Sequence, residues 1–189
     1  MKVQENHNVM ETLDLERIRD GFPGITPRVG EYQLESCVVC LERQNHQSGV
    51  RLKLSGDIET ELVLLWTLTV TEQMERTWSN QKEATESGAI CIAALLVEKF
   101  TEYTILEKAR EGTGIDYWLG RKNRTLTDYD LFHRDARLEI SGIFEGNSAE
   151  IAARFRMKLF QTNQSDDSNC PAFVCVVEFG YPQAQLGEK

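Results

Sequence analysis

The sequence has no apolar run approaching the ~20 residues needed to cross a bilayer, and residues 1–20 carry no signal-peptide hydrophobic region. The expectation is a soluble protein that stays in the cytoplasm and meets no membrane. Histidine is scarce, limited to His7, His46 and His133. Paired cysteines are lacking too. Cys37, Cys40, Cys91, Cys170 and Cys175 are odd in number and sit mostly in apolar stretches, which suits reduced, buried thiols better than a disulfide framework. Cys37 and Cys40 form a CxxC, but a structural zinc site needs a second ligand pair at similar spacing, and the three histidines do not form one. On a helix the two cysteines share one face, where burial explains them. Basic charge is the last shortage: 21 Lys and Arg against 30 Asp and Glu leave a formal charge of -9, which repels a phosphate backbone at long range. A nucleic-acid role therefore requires a local basic groove, a metal or a partner subunit. A serine hydrolase is disfavoured, because no Gly-x-Ser-x-Gly accompanies Ser87, Ser141 and His133.

What is present is enough for one core. A chain of 189 residues, 41% hydrophobic, is close to the size of one domain spanning 1–189. Residues 1–30 read as a loosely packed arm, with a short helical stretch at 10–19 and turn formers Gly21, Pro23, Gly24, Pro27 and Gly30 behind it. Residues 32–80 read as a helix at 32–45, with Leu34, Cys37, Val38 and Leu41 at helical spacing, then a β-hairpin of strands 50–54 and 58–70. A core at 81–182 follows: a helix at 81–100, strands at 103–109, 114–121 and 136–144, an amphipathic helix at 148–161, and an uninterrupted apolar strand at 172–179. Ala84, Gly88 and Ala89 are expected to let the first core helix pack closely on a sheet. The polar stretch 161–169 reads as a mobile connection, and Gly112-Thr-Gly114 as a tight hairpin. The fold class is α/β (α+β), a central mixed sheet flanked by helices and preceded by the N-terminal helix and hairpin.

Two acids stand out in this core: Asp116, in Gly112-Thr-Gly-Ile-Asp-Tyr-Trp-Leu-Gly120, and Glu139, in Arg137-Leu-Glu-Ile-Ser-Gly142. The order helix, three strands, helix, strand with these acids resembles the PD-(D/E)xK, or restriction-endonuclease-like, nuclease superfamily. In that family the second core strand carries an aspartate and the third a glutamate two residues before a lysine, and some members add an acid from the first core helix. The resemblance thus implies a Mg²⁺ site at Asp116 and Glu139, with Glu83 or Glu86 as auxiliary ligands. The residue two after Glu139 is Ser141, a departure from the pattern, so the resemblance moves the basic role to Lys158, Arg154 or Lys108. Phosphodiester hydrolysis accounts for the convergence, since a divalent ion polarises the phosphoryl oxygen and magnesium binds carboxylate oxygens.

Plainer roles exist for every one of these residues. Asp116 and Glu139 are able to pair with Arg121, Arg137 or Lys108 across the sheet, and Glu83 and Glu86 suit the positive end of a helix dipole. Arg154, Arg156 and Lys158 form the best basic patch and are the expected nucleic-acid contacts. Trp118 is the candidate base-stacking ring; since adjacent strand residues face opposite ways, only one of Tyr117 and Trp118 can line a groove. Trp66 and Trp78 read as core. Two functions follow. One is a nuclease-like subunit acting on DNA in a bacterial defence or DNA-processing system. The other is a catalytically inactive interaction module of a larger prokaryotic complex, its acidic surface meeting a basic protein partner.

Overall fold

The computed structural model describes residues 11–122 and 133–189. The first ten residues of the expected arm, including Met10 and His7, lie outside them. What is described of that arm is not loosely packed. Glu11–Asp14 form strand β1 rather than a helix, and Leu15–Asp20 follow as a 3-10 helix capped by the Asp14 side chain. Leu13, Leu15, Ile18 and Ile25 are all buried, so apolar contact holds the segment where its glycines and prolines suggested a free chain. Helix α1 then runs over Pro27–Arg43, five residues earlier than its apolar spacing predicts. Thr26 caps it and Pro27 sits in its first turn, where a missing N–H costs nothing; the proline starts the helix instead of breaking it.

Strands β2 (Arg51–Gly56) and β3 (Thr60–Leu65) form the expected antiparallel hairpin, and the short helix α2 (Glu72–Thr77) leads to helix α3 (Gln81–Phe100). Strands β4 (Tyr103–Lys108), β5 (Tyr117–Arg121) and β6 (Ala136–Ile143) make an antiparallel meander. Helix α4 (Ser148–Gln161), opened by an Asn147 and Glu150 capping box, crosses to strand β7 (Ala172–Glu178), which lies parallel to β6. A last strand, β8 (Gln183–Glu188), was not anticipated. The eight strands form one mixed sheet in the order β1-β3-β2-β8-β7-β6-β5-β4, so the hairpin extends the sheet by pairing β2 with β8.

Alternation along β7 assigns the two faces of this sheet. Phe173, Cys175 and Val177 join the main core with α1 and α3, whereas Val174 and Val176 meet Ile151 and Phe155 of α4 on the other side. The small-residue expectation for α3 is redirected here. Gly88 faces α1, not the sheet: a Cβ there would lie 2.9 Å from the Cα of Cys37. Gly88→Ala is expected to push the two helices apart and cost roughly 1–3 kcal/mol, seen as a lower midpoint in urea denaturation; an unchanged midpoint would mean that α1 yields freely.

The β7–β8 turn is closed by a buried carboxylate. Glu178 accepts backbone N–H groups from Gly146 (3.2 Å), Gly180 (2.5 Å) and Tyr181 (3.0 Å), while His46 Nε2 lies 3.0 Å from the carbonyls of both Phe179 and Gly180. Residues 161–169, expected to be mobile, form a 3-10 helix at Thr162–Ser168. Arg137 of β6 pins it. Its buried guanidinium donates to the carbonyls of Thr162 (3.1 Å) and Cys170 (2.7 Å), to Ser165 Oγ (3.1 Å) and to Asp166 Oδ1 (3.1 Å).

Candidate functional site

Strands β5 and β6 are paired from Leu119 and Ala136 as far as Tyr117 and Leu138, and there they part. Residues 109–116, which join β4 to β5, make a wider turn than a tight hairpin. Gly112 and Gly114 both have positive φ, and a Cβ on Gly114 would strike the Gln161 carbonyl at 2.3 Å, so glycine is required on both counts. The turn delivers Asp116 to the fork. Its backbone N–H still reaches the Leu138 carbonyl (2.9 Å), and its Oδ2 accepts the next free N–H of β6, that of Ile140, at 2.8 Å. A carboxylate has replaced the strand partner.

Glu139 lies one residue earlier on β6 and faces α4. Its side chain is 3% exposed, and Oε1 accepts from Lys158 Nζ (2.5 Å) and Gln161 Nε2 (3.2 Å). Lys158 and Arg154, one turn apart on α4, point the same way, and Arg154 Nη1 donates to Ser141 Oγ at 3.1 Å. The two cations that α4 supplies thus meet Glu139 and Ser141, the two positions where the sequence pattern sets glutamate and lysine side by side. Arg156 does not join them. Two residues from Arg154 it is turned well away around the helix, and it is exposed and outside the cleft.

Burial raises the Glu139 carboxyl from its usual 4.5 to about 7; the neighbouring Asp116 charge adds to this and Lys158 acts against it. Because the folded-state value lies above the unfolded one, the folded protein holds this proton more tightly. Its contribution is fully present below about pH 4.5 and is lost as the pH rises through 7. In chelator-containing buffer, Glu139→Gln is expected to flatten the decline in stability across that window, a difference of up to about 3 kcal/mol. Denaturation midpoints of the two proteins that fall in parallel from pH 5 to 8 would overturn this.

Beside Glu139, which does not itself line it, lies a cleft of about 640 Å³. Asp116, Lys158, Arg154, Ser141 and Lys108 line it, together with Glu83, Glu86, Ser87, Tyr32 and Gln33 of α3 and α1. Glu83 and Glu86 share the cleft with Asp116 but not one cluster with Asp116 and Glu139. Glu83 accepts the Tyr32 hydroxyl (3.2 Å), and Glu86 is exposed beside Lys82 (3.8 Å). Among the described residues, no three His, Cys, Asp or Glu side chains form a group able to hold a metal ion.

The cross-sheet ion pairs weighed from sequence are not the ones formed. Arg121 meets Glu102 (3.4 Å), Arg137 meets Asp166, and the partner of Glu139 comes from α4. Trp118, the expected stacking ring, does not line the cleft: it is buried, with the Arg134 guanidinium 4.6 Å over its ring, and Tyr117 lines the cleft instead. Trp66 and Trp78 are buried as expected, the latter donating to Glu35 Oε1 at 2.8 Å. Cys37, Cys40, Cys91 and Cys175 are buried free thiols; burial raises Cys40 to about 11 and Cys175 to about 12, which keeps them protonated. Sequence reasoning missed Gln161, Gln33 and Tyr32, polar or exposed residues whose roles depend on which elements meet across the sheet.

No family model matches the chain, and no curated protein or solved structure is significantly similar to it.

Proposed function

We propose that the chain is a metal-dependent phosphodiesterase acting on DNA, a nuclease-like subunit built on a PD-(D/E)xK-type core. The observation that carries this reading is the meeting of Asp116, Glu139 and Lys158 where β5 and β6 part. The helix, antiparallel meander, crossover helix and parallel strand of α3 to β7 support it, as does the position of each acid on that meander.

The donor chemistry fits a hard divalent ion. Asp116 and Glu139 are oxygen ligands close enough for the charge of one to act on the other, and two carboxylates suffice for magnesium, which keeps several of its waters. Such an ion would supply Lewis-acid polarisation of the phosphoryl group and a more acidic water. The chain's own residues do the rest. The Ile140 N–H fixes the Asp116 carboxylate beside that of Glu139. Lys158 holds Glu139 in place and brings a proton donor to the same point, taking the role for which Ser141 lacks a charge. Arg154, steadied by Ser141, offers its remaining N–H groups to phosphate oxygens at the cleft.

The cleft wall bears Glu83, Glu86 and Asp116 against Lys108, Arg154 and Lys158, an even balance in a chain of charge -9. A phosphodiester gains little from such a wall unless a cation is added, which is why the reading requires metal. The test is cleavage of end-labelled single- and double-stranded DNA with Mg²⁺, with Mn²⁺ and with EDTA, alongside calorimetric titration of each ion. Metal-dependent cleavage that EDTA abolishes is expected. A folded protein that binds neither ion and cuts neither substrate would favour the second reading, an inactive interaction module of a prokaryotic defence or DNA-processing complex. Ser141, at the position where the resemblance sets lysine, is the feature that supports this alternative.

A further inference from the structure

Resting on the phosphodiesterase reading, we infer that Tyr32, Gln33 and Ser87 form a subsite for one unpaired nucleobase, so that the substrate is a strand whose base is free of a partner beside the scissile phosphate. The cleft that Asp116 and Lys158 line also holds two side-chain oxygens whose hydrogen bonds are unmet. Gln33 is 3% exposed and Ser87 is 8% exposed, and Gln33 Oε1 and Ser87 Oγ have no partner among the described residues. Both residues line the cleft. A buried polar atom without a partner is costly, and native proteins leave few of them. Neither residue is an ion-pair member, and neither helps to hold the fold through those atoms.

An aromatic ring lines the same cleft. Tyr32 is 48% exposed, with one side against Trp78 at a centroid distance of 4.5 Å and its hydroxyl held by Glu83. A ring buttressed in this way is a ready stacking platform, and stacking tolerates any base. Gln33 adds an amide, which carries a donor and an acceptor in one plane. The Gln33 side chain hydrogen-bonds the Tyr117 phenol and keeps Oε1 as an acceptor for the cleft, and the Ser87 hydroxyl accepts or donates beside it. An amide with a neighbouring hydroxyl complements the hydrogen-bonding edge of a base. Tyr117, whose phenol lies beside both Gln33 and the Asp116 charge, links this wall to the carboxylates, so the base and the phosphate of one nucleotide are read together. In a duplex that edge is occupied by the complementary strand, and a residue as enclosed as Gln33 is out of reach.

The test is fluorescence anisotropy in calcium buffer with three probes: a labelled single-stranded DNA hexamer, the same hexamer with one central abasic site, and a duplex containing the hexamer sequence. The intact strand is expected to bind roughly tenfold more tightly than the abasic one. Tyr32→Ala and Gln33→Met, each checked for folding by thermal denaturation, are expected to erase that difference while leaving the affinity for the abasic strand as it was. Equal affinity for intact and abasic strands, equal affinity for the duplex, or an advantage that survives both substitutions would overturn the base subsite. If magnesium-dependent cleavage persists in that case, the phosphodiesterase reading stands and only the subsite falls. If no strand is bound or cut, both fall.

Discussion

Asp116→Asn is expected to lower magnesium-dependent cleavage by about 10³-fold or more while the protein keeps its fold. The amide is nearly the same size as the carboxylate and its oxygen still accepts the Ile140 N–H, so the fork between β5 and β6 persists. What is lost is one of two anionic ligands. Loss of several kcal/mol of stabilisation at the reacting phosphate corresponds to at least three powers of ten in rate. Calorimetry should show weaker Mg²⁺ binding in parallel, and removal of the Asp116 charge should bring the Glu139 carboxyl down toward its ordinary value. A variant that cleaves within tenfold of the wild type would remove Asp116 from the reaction.

Arg137→Met is the substitution expected to harm stability most. The guanidinium satisfies the carbonyls of Thr162 and Cys170 and pairs with Asp166, so an apolar side chain of similar length leaves enclosed acceptors without donors. A loss of about 3 kcal/mol follows from hydrogen bonds to a charged group and their unpaired remainders. For a protein of this size that lowers the thermal midpoint by roughly 6–12 °C. Arg137→Lys should recover only part of the loss, because an ammonium cannot serve several acceptors through a planar fork. The effect should extend to the site, since the 3-10 helix that Arg137 pins adjoins Gln161, which donates to Glu139 and whose carbonyl packs on Gly114. A lysine variant as stable as wild type would show that a single charge near Asp166 is all that matters.

The sequence announced the parts of the fold that repeat at short range. The long apolar run of α3, buried nearly all round rather than on the one face expected, the alternation of β2 and the apolar run of β7 follow from patterns within each segment. β8 escaped because Gln183-Ala-Gln-Leu-Gly-Glu188 holds just Ala184 and Leu186 as inward apolar residues, too few to mark a strand without its neighbours. The N-terminal segment was misjudged because its glycines and prolines were weighed without the buried Leu15 and Ile18 beside them. For the site, Asp116, Glu139 and Lys158 were legible as residue types at particular places in an element order. Their partners were not, since the Lys158–Glu139 contact depends on how α4 crosses the sheet. Tyr117 and Trp118 show the same limit: strand geometry requires that they face opposite ways, yet only packing decides which of them reaches the cleft.

The pairing of β2 with β8 carries a consequence for how the chain reaches this form. Lys53 to Gly56 find their partners at Gln183 to Leu186, more than a hundred residues downstream, and β8 is the strand that joins β1-β3-β2 to β7-β6-β5-β4. Contacts so distant along the chain close late and at high entropic cost. During synthesis the hairpin must therefore wait, its β2 edge open, until β8 has emerged. The Glu178 clamp then turns the chain back into the gap, and the two halves of the sheet lock in a single late step. Force applied at β8 should reverse this order, freeing β8 first and so parting the two halves.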